Sequence, residues 1–275
     1  MIIFHTDLDN TLIYSYKHDI GEDKRCTEVY QGREISFITQ ETYRLLKEVQ
    51  KEVVIVPTTT RTIEQYRRID LGIGDFRYAL ACNGGVLLVD GKEEENWYQK
   101  SLELVSDSEQ ELSRAVAFLQ QDKRRCFELR FIRKLFVFTK CEEPESVVEE
   151  LKSVLDAGVV DVFHNGAKLY VVPKTLSKGN AVDRFRSYIR DNVNVGKDRK
   201  QQEHAVKNCT GIDCVIAAGD SEFDISMLEA ADYGIAAPEL VRKHDFSVHV
   251  KCPPADRLYA EAVLESVLQI CRSRH

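Results

Sequence analysis

The chain has 275 residues, room for one large or two medium domains, and its 43% hydrophobic and 30% charged content is that of a globular protein rather than a disordered one. At this length roughly 70–75% of the unfolded chain's surface is buried on folding, so neither a disulfide nor a metal staple is needed. Forty-five acids against 38 bases leave a net charge of −7, which argues against general binding to nucleic acid or an anionic membrane.

The first apolar residues run into a carboxylate at Asp7, unlike a signal peptide, and no apolar run approaches the ~18 residues of a membrane span. A cytoplasmic location is expected. Eight cysteines lie scattered without a Cys-x-x-Cys pair, which predicts reduced, mostly buried thiols rather than a zinc site.

In chain order, residues 2–4 form a short apolar run ending at Thr6-Asp7, the pattern of a buried strand. Residues 39–51 predict a helix with Leu45, Leu46 and Val49 on one face. The run 53–56 is the next buried strand, closed by Pro57. A capping box at 62–65 opens a helix expected to end at Gly72. Residues 78–81 form a third strand, returning through Gly84-Gly85 into 86–89, with a hairpin turn at Asp90-Gly91. Alternating strands and helices predict a parallel sheet with helices on both faces.

The middle has another grammar. A capping box at 108–111 opens a helix carrying Leu112, Ala115 and Leu119, and residues 134–139 predict a strand. Pro144 opens a second helix, ended by Gly158. Residues 159–163 and 168–172 predict strands joined by His164-Asn165-Gly166. After Pro173 the first grammar returns, with a helix over 180–190, a strand over 214–218, and helices over 221–231 and 256–271. The polar stretch 191–210 predicts a solvated excursion. The expected fold class is α/β: a Rossmann-like parallel-sheet core over 1–99 and 173–275, with a smaller α+β domain inserted at 100–172.

Four segments could carry chemistry. Asp7-Leu8-Asp9-Asn10-Thr11 follows a buried strand, and ligands of open parallel sheets collect at the strands' carboxyl ends. Gly219-Asp220-Ser221-Glu222-Phe223-Asp224 follows another strand and brings two more acids to the same edge. Such carboxylates suit Mg²⁺, which favours oxygen ligands and often pairs with phosphate. Thr58-Thr59-Thr60-Arg61 sets hydroxyls and N–H groups ahead of a helix, where they could hold phosphate oxygens. Lys178, before a further helix, could neutralise a carboxylate and a phosphate together. Each segment also fits a purely structural role: an Asx turn, two helix N-caps and a solvated lysine.

In order and context these segments resemble the haloacid dehalogenase (HAD) superfamily of phosphohydrolases. The similarity is to the branch with a large type C2 cap inserted after the third core strand, including sucrose-phosphate-phosphatase-like and Cof-like members. Asp7-Leu8-Asp9-Asn10-Thr11 is similar to its motif I, and Thr59-Thr60-Arg61 to motif II, with Thr60 in place of the usual Gly. Lys178-Gly179 is similar to motif III, and Gly219-Asp220-Ser221 through Asp224 to motif IV. Asn83-Gly84-Gly85 matches the turn after the third core strand, and residues 168–180 match the return from the cap.

The resemblance implies a Mg²⁺-dependent phosphatase acting on a small phosphorylated metabolite, a sugar phosphate foremost. Asp7 would be the nucleophile, forming an aspartyl phosphate, and Asp9 the acid and base. Mg²⁺ would be held by Asp7, the Asp9 carbonyl and Asp220, with Asp224 ligating through water or orienting Lys178. Thr59, Thr60 and Lys178 would bind the phosphoryl group. Asn83, Arg61, Arg130, Arg133, Lys134 and Lys168 are candidate substrate contacts. One departure is Phe223, where the branch usually has Asn, which implies an altered metal affinity or preference. A phosphomutase and a non-catalytic metabolite sensor are the alternatives, with neither nucleic acid nor membrane as partner.

Overall fold

The computed structural model describes residues 1–195 and 211–274, so part of the expected excursion over 191–210 lies outside the described residues. The chain divides into two compact units. One comprises Met1–Gly84, Leu88–Lys92 and the chain from Lys178; the other comprises Gly85–Leu87 and Glu93–Ser177. Residues 93–99 and 173–177 therefore group with the second unit rather than with the parallel-sheet core.

The first unit is built on β1 (Ile2–Thr6), an apolar strand with parallel neighbours on both sides. Three short strands follow: β2 (Tyr14–Ser15), β3 (Lys24–Tyr30) and β4 (Arg33–Thr39). They make a separate antiparallel sheet in the order β2-β4-β3. The β3–β4 turn is Gln31-Gly32, both at positive φ, as a tight two-residue hairpin turn requires.

Thr39 then caps α1 (Gln40–Glu52), its side chain accepting the Thr42 N–H. β5 (Val54–Pro57) lies beside β1, and α2 (Ile63–Tyr66) opens on the Thr62/Gln65 capping box. The helix expected to reach Gly72 stops after one turn. Its tail is drawn off instead by tertiary pairing, since the Asp70 N–H donates to Thr27 O in β3. β6 (Tyr78–Ala81), β7 (Val86–Val89) and β8 (Lys92–Glu93) form a three-stranded sheet turning at Asp90-Gly91, both at positive φ.

In the second unit, α3 (Glu95–Leu104) leads to α4 (Glu109–Gln121). Ser108 stands at the N-cap position of α4 but makes no capping hydrogen bond. Its expected partner Glu111 instead accepts from Arg114 and from the Asp156 N–H. β9 (Arg130–Ile132) and β10 (Phe136–Lys140) turn at Arg133-Lys134, both at positive φ. The strand expected from residue 134 thus starts at Phe136, because the first two residues are spent on the turn. α5 (Pro144–Val154), β11 (Val160–Asn165) and β12 (Lys168–Pro173) complete the unit. α5 ends at the Leu155 C-cap, three residues before Gly158. The antiparallel order is β11-β12-β10-β9, and Val137, Leu169 and Val171 pack with Leu112, Leu119, Val148 and Leu151 of α4 and α5.

Back in the first unit come α6 (Lys178–Val195), β13 (Cys214–Gly219), α7 (Ile225–Ala230), β14 (Tyr233–Ala236), α8 (Pro238–Val241), β15 (Val250–Lys251) and α9 (Tyr259–Ser273). The parallel sheet has the order β15-β14-β13-β1-β5, and a parallel bridge between Thr58 and Leu80 brings β6 alongside β5. Successive residues of β1 face opposite sides. Phe4 joins Leu46 of α1 and Val263 and Leu264 of α9 in one core, while His5 meets the Phe185 ring of α6 edge-on at 5.4 Å. Helices therefore cover both faces, and the loops at the strands' carboxyl ends carry Asp7, Thr59 and Asp220. No helix of the described residues is long and apolar enough to cross a membrane.

Candidate active site

Asp7 leaves β1 with its N–H donated to Ala218 O at 3.0 Å, so the first two acid loops are tied together at the root. The chain then turns about one carbonyl: Leu8 O accepts from Leu12 N and Ile13 N at 2.9 Å each. Asn10 takes φ +58°, a conformation that Asn tolerates better than most residues. This turn buries Leu8, keeps Asp7 at 6% exposure and sends Asp9 outward, its side chain 51% exposed. Thr11 reaches back, donating to Asp220 Oδ1 at 2.9 Å.

The loop after β13 is organised by Asp224. One oxygen, Oδ2, accepts from the backbone N–H of Asp220 (3.1 Å) and Ser221 (3.0 Å) and from the Ser221 hydroxyl (2.8 Å). The carboxylate can come this close because residue 219 is Gly: a Cβ there would stand 2.2 Å from Asp224 Cβ. Gly179 does the same for the start of α6, where a Cβ would lie 2.4 Å from Ser226 O of α7. That close approach delivers Lys178, whose Nζ donates to Asp7 Oδ1 and to Asp224 Oδ1 at 2.6 Å each.

Asp7, Asp220 and Asp224 present carboxylate oxygens all within 4.8 Å of one another. Lys178 is the ammonium set among them and only 1% exposed; burial works against its charge, but Asp224 and Asp7 outweigh it and raise its pKa. Burial, with the neighbouring acids, holds the Asp7 carboxyl well above the usual range. Burial and Asp224 likewise push Asp220 up to about 7. Ionised together, the three carboxylates would carry more negative charge than one ammonium balances, the condition a divalent cation relieves.

Asp224 is saturated by its donors, whereas Asp7 Oδ2 and Asp220 Oδ2 accept no hydrogen bond among the described residues. Two open, hard oxygens beside a buried acid excess fit Mg²⁺.

Thr59 is buried just past the end of β5, the strand paired with β1, its Oγ1 accepting from Arg61 N at 3.2 Å, which leaves the hydroxyl proton to point elsewhere. Thr60 is half-buried at the loop's crest. Cys82 and Asn83, both at positive φ, brace this loop by donating to Arg61 O (2.8 Å) and Thr59 O (2.9 Å). Arg61 holds Asp9 with two parallel bonds, Nε to Oδ2 at 2.7 Å and an Nη to Oδ1 at 2.8 Å. Behind it stands Glu28, a buried acid that sequence patterning does not single out.

The structure thus brings Asp7, Asp220, Asp224 and Lys178 together, with Arg61 on Asp9. Arg130, Arg133, Lys134 and Lys168 lie in the second unit: Arg130 pairs with Glu128 at 2.8 Å, Arg133 with Glu93 at 2.8 Å, and Lys134 and Lys168 are exposed. Phe223 lies in the one-turn helix Glu222–Asp224.

Solved structures share this architecture over nearly the whole chain. The sucrose-phosphatase of Synechocystis sp. PCC6803, solved with sucrose and phosphate, matches with a TM-score of 0.61 at 17% identity, covering 98% of this chain and 97% of that one. The C-terminal domain of C. albicans trehalose-6-phosphate phosphatase matches with a TM-score of 0.55 at 15% identity, covering 98% and 92%. A HAD-superfamily phosphatase of Bacteroides thetaiotaomicron matches with a TM-score of 0.50 at 17% identity, covering 98% and 94%. The chain has the fold of these phosphatases. No protein-family model matches the sequence, and no curated protein does.

Proposed function

We propose that the chain is a Mg²⁺-dependent phosphomonoester hydrolase acting on a small phosphorylated metabolite, a sugar phosphate foremost. The observation that carries this reading is Asp7 itself: a buried carboxylate at a strand end, one oxygen held by Lys178 at 2.6 Å and the other open. The fold shared with a sucrose-phosphatase and a trehalose-6-phosphate phosphatase supports the substrate class.

Asp7 Oδ2 attacks phosphorus, and the bond from phosphorus to the leaving alcohol breaks as Asp9, released from Arg61 and having taken up a proton from solvent, gives that oxygen its proton. Asp9, now ionised, takes a proton from a water as the water attacks the aspartyl phosphate, which releases inorganic phosphate and restores Asp7. Lys178 stays charged throughout and draws charge from the phosphoryl oxygens, and the Thr59 hydroxyl is free to donate to one of them. Mg²⁺, held by Asp7, Asp220 and the Asp9 carbonyl, would supply the positive charge that lets a carboxylate approach a dianionic phosphate. Asp224 acts through Lys178 and the 220–221 backbone, which it fixes. The second unit would serve as the cap that chooses the substrate, with Arg130, Lys134 and Lys168 as candidate contacts alongside Arg61 and Asn83 of the first unit.

The test is phosphate release from sugar phosphates, nucleotides and p-nitrophenyl phosphate, with Mg²⁺ or EDTA, by wild type and Asp7→Asn. Mg²⁺-dependent release that Asp7→Asn abolishes supports the reading. A folded wild type that releases phosphate from none of the esters overturns it.

A further inference from the structure

The loops after β1 and β5 leave neighbouring strands, with the Thr58 N–H donated to Thr6 O at 2.8 Å. Asp9 and Arg61 meet there, each two residues beyond Asp7 and Thr59. Arg61 is fixed from behind. Its side chain is 13% exposed, and one Nη donates to Glu28 Oε2 at 3.0 Å and reaches Gln65 O at 3.4 Å. Glu28, 1% exposed, is held in turn by Ser36 at 2.8 Å and Arg68 at 2.9 Å, and the β3–β4 register slips on both sides of the Glu28–Ser36 pair. Bulges of this kind re-aim a side chain and gather near functional sites. The main chain of Arg61 is braced as well, its N–H donating to Thr59 Oγ1 and its carbonyl accepting from Cys82 N.

The outer edge of the guanidinium, Nε and the other Nη, is filled by the two oxygens of Asp9. A planar fork of this kind matches a carboxylate with two parallel bonds. Both Asp9 oxygens are taken, so Asp9 reaches a leaving oxygen only by giving up the fork. Arg61 does not follow, since Glu28, Gln65 and the braced loop keep it in place. A guanidinium largely out of solvent is then left with two donors unmatched, which is unfavourable. A carboxylate of the substrate replaces Asp9 like for like; a neutral hydroxyl does not. The Asp9 side chain turns on only two bonds, so the edge it leaves and the oxygen it serves are close neighbours. We propose that the outer edge of Arg61 is a substrate carboxylate site, filled by Asp9 in the free protein. The preferred ester is then a phosphorylated hydroxy acid, sugar acids included, with its carboxylate close to the ester oxygen. This inference rests on the phosphatase reading and on the role proposed for Asp9.

Matched esters test it. 3-Phosphoglycerate and glycerol 3-phosphate differ by a carboxylate in place of a hydroxymethyl group, and kcat/KM is measured for each with Mg²⁺. The wild type should favour 3-phosphoglycerate by about 10-fold or more, the size of a charge-assisted hydrogen-bond pair. Arg61→Lys keeps the charge and loses the fork, and it should bring the ratio to within about 3-fold of unity. A second measurement needs neither turnover nor a change at Arg61. Asp9→Asn, at an exposed position, replaces the competing carboxylate by an amide. In calorimetric titration its affinity for 3-phosphoglycerate should rise about 10-fold or more relative to that for glycerol 3-phosphate, and this carries the test if Arg61→Lys does not fold. An active wild type without the preference, or a preference that either folded variant leaves unchanged, overturns the carboxylate site and leaves the phosphatase reading standing. A wild type that hydrolyses other esters but neither of these has the same meaning, and one that hydrolyses no ester overturns both.

Discussion

Lys178 and Asp224 meet out of solvent, Nζ to Oδ1 at 2.6 Å, with the acid fully buried and the base 1% exposed. The same ammonium sits 2.6 Å from Asp7 Oδ1, so one side chain bridges the ends of β1 and β13. Removing one partner of a buried ion pair usually costs more than the pair contributes, since it strands the other charge. Lys178→Met should therefore lose about 3–5 kcal/mol in urea denaturation with EDTA present, along with phosphate release. If the variant matched wild type in stability, the carboxylates would be holding protons rather than relying on the ammonium.

Asp220 and Asp224 stand four residues apart and have opposite expected roles. Asp224 Oδ2 accepts three hydrogen bonds, so an amide nitrogen in Asp224→Asn would face either those donors or Lys178. That variant should melt lower even without metal. Asp220 is the open acid with a raised pKa, and Asp220→Asn removes repulsion, so its melting temperature in EDTA should equal or exceed that of wild type. Mg²⁺ should raise the wild-type melting temperature by mass action and leave Asp220→Asn unmoved. An equal Mg²⁺ shift in wild type and Asp220→Asn would remove Asp220 from the metal site.

Gly219 is tested by adding one methyl group. The new Cβ would stand 2.2 Å from Asp224 Cβ and 2.4 Å from its Cγ, atoms too near the main chain to swing aside. Overpacking of this kind costs about 1–3 kcal/mol and sometimes more, and this contact belongs at the upper end. Gly219→Ala should show that loss in urea denaturation, with phosphate release falling further than stability does because Asp224 is pushed off Lys178. Unchanged stability would mean that the 220–224 turn can re-form elsewhere.

Much of this site is written in short patterns. The runs before Asp7 and Asp220 are largely apolar and stop at an acid, so strand and strand end are legible together. The Thr62/Gln65 box predicts a helix start that the fold delivers, yet not the length of α2, since the pairing of Asp70 with Thr27 is tertiary. Arg133-Lys134 turns a hairpin without the Gly or Asn that marks one, so β9 goes unread. Glu28 is the hardest case. It lies in a polar stretch, and its burial depends on two register slips and two arginines about 30–40 positions away.

His5 gives a pH signature independent of the acid cluster. Thr58 Oγ1 donates to Val56 O at 3.1 Å, so its lone pair meets a proton on His5 Nδ1 at 2.9 Å. That leaves Nε2 the unprotonated nitrogen, buried and without a hydrogen-bond partner. Burial, reinforced by Arg186, lowers the His5 pKa from 6.5 to about 3. The sign follows: between these values the unfolded chain binds one more proton than the folded one, so stability falls as pH drops from 6.5 towards 3. The slope from this residue approaches about 1.4 kcal/mol per pH unit, one proton's worth. His5→Gln can still donate to Thr58 and cannot titrate. The difference in unfolding free energy between wild type and His5→Gln, measured in urea from pH 7.5 to pH 4, should change along that slope below pH 6.5 and stay flat above it. A difference that stays constant across the whole range would show that the folded chain protonates His5 as readily as the unfolded one.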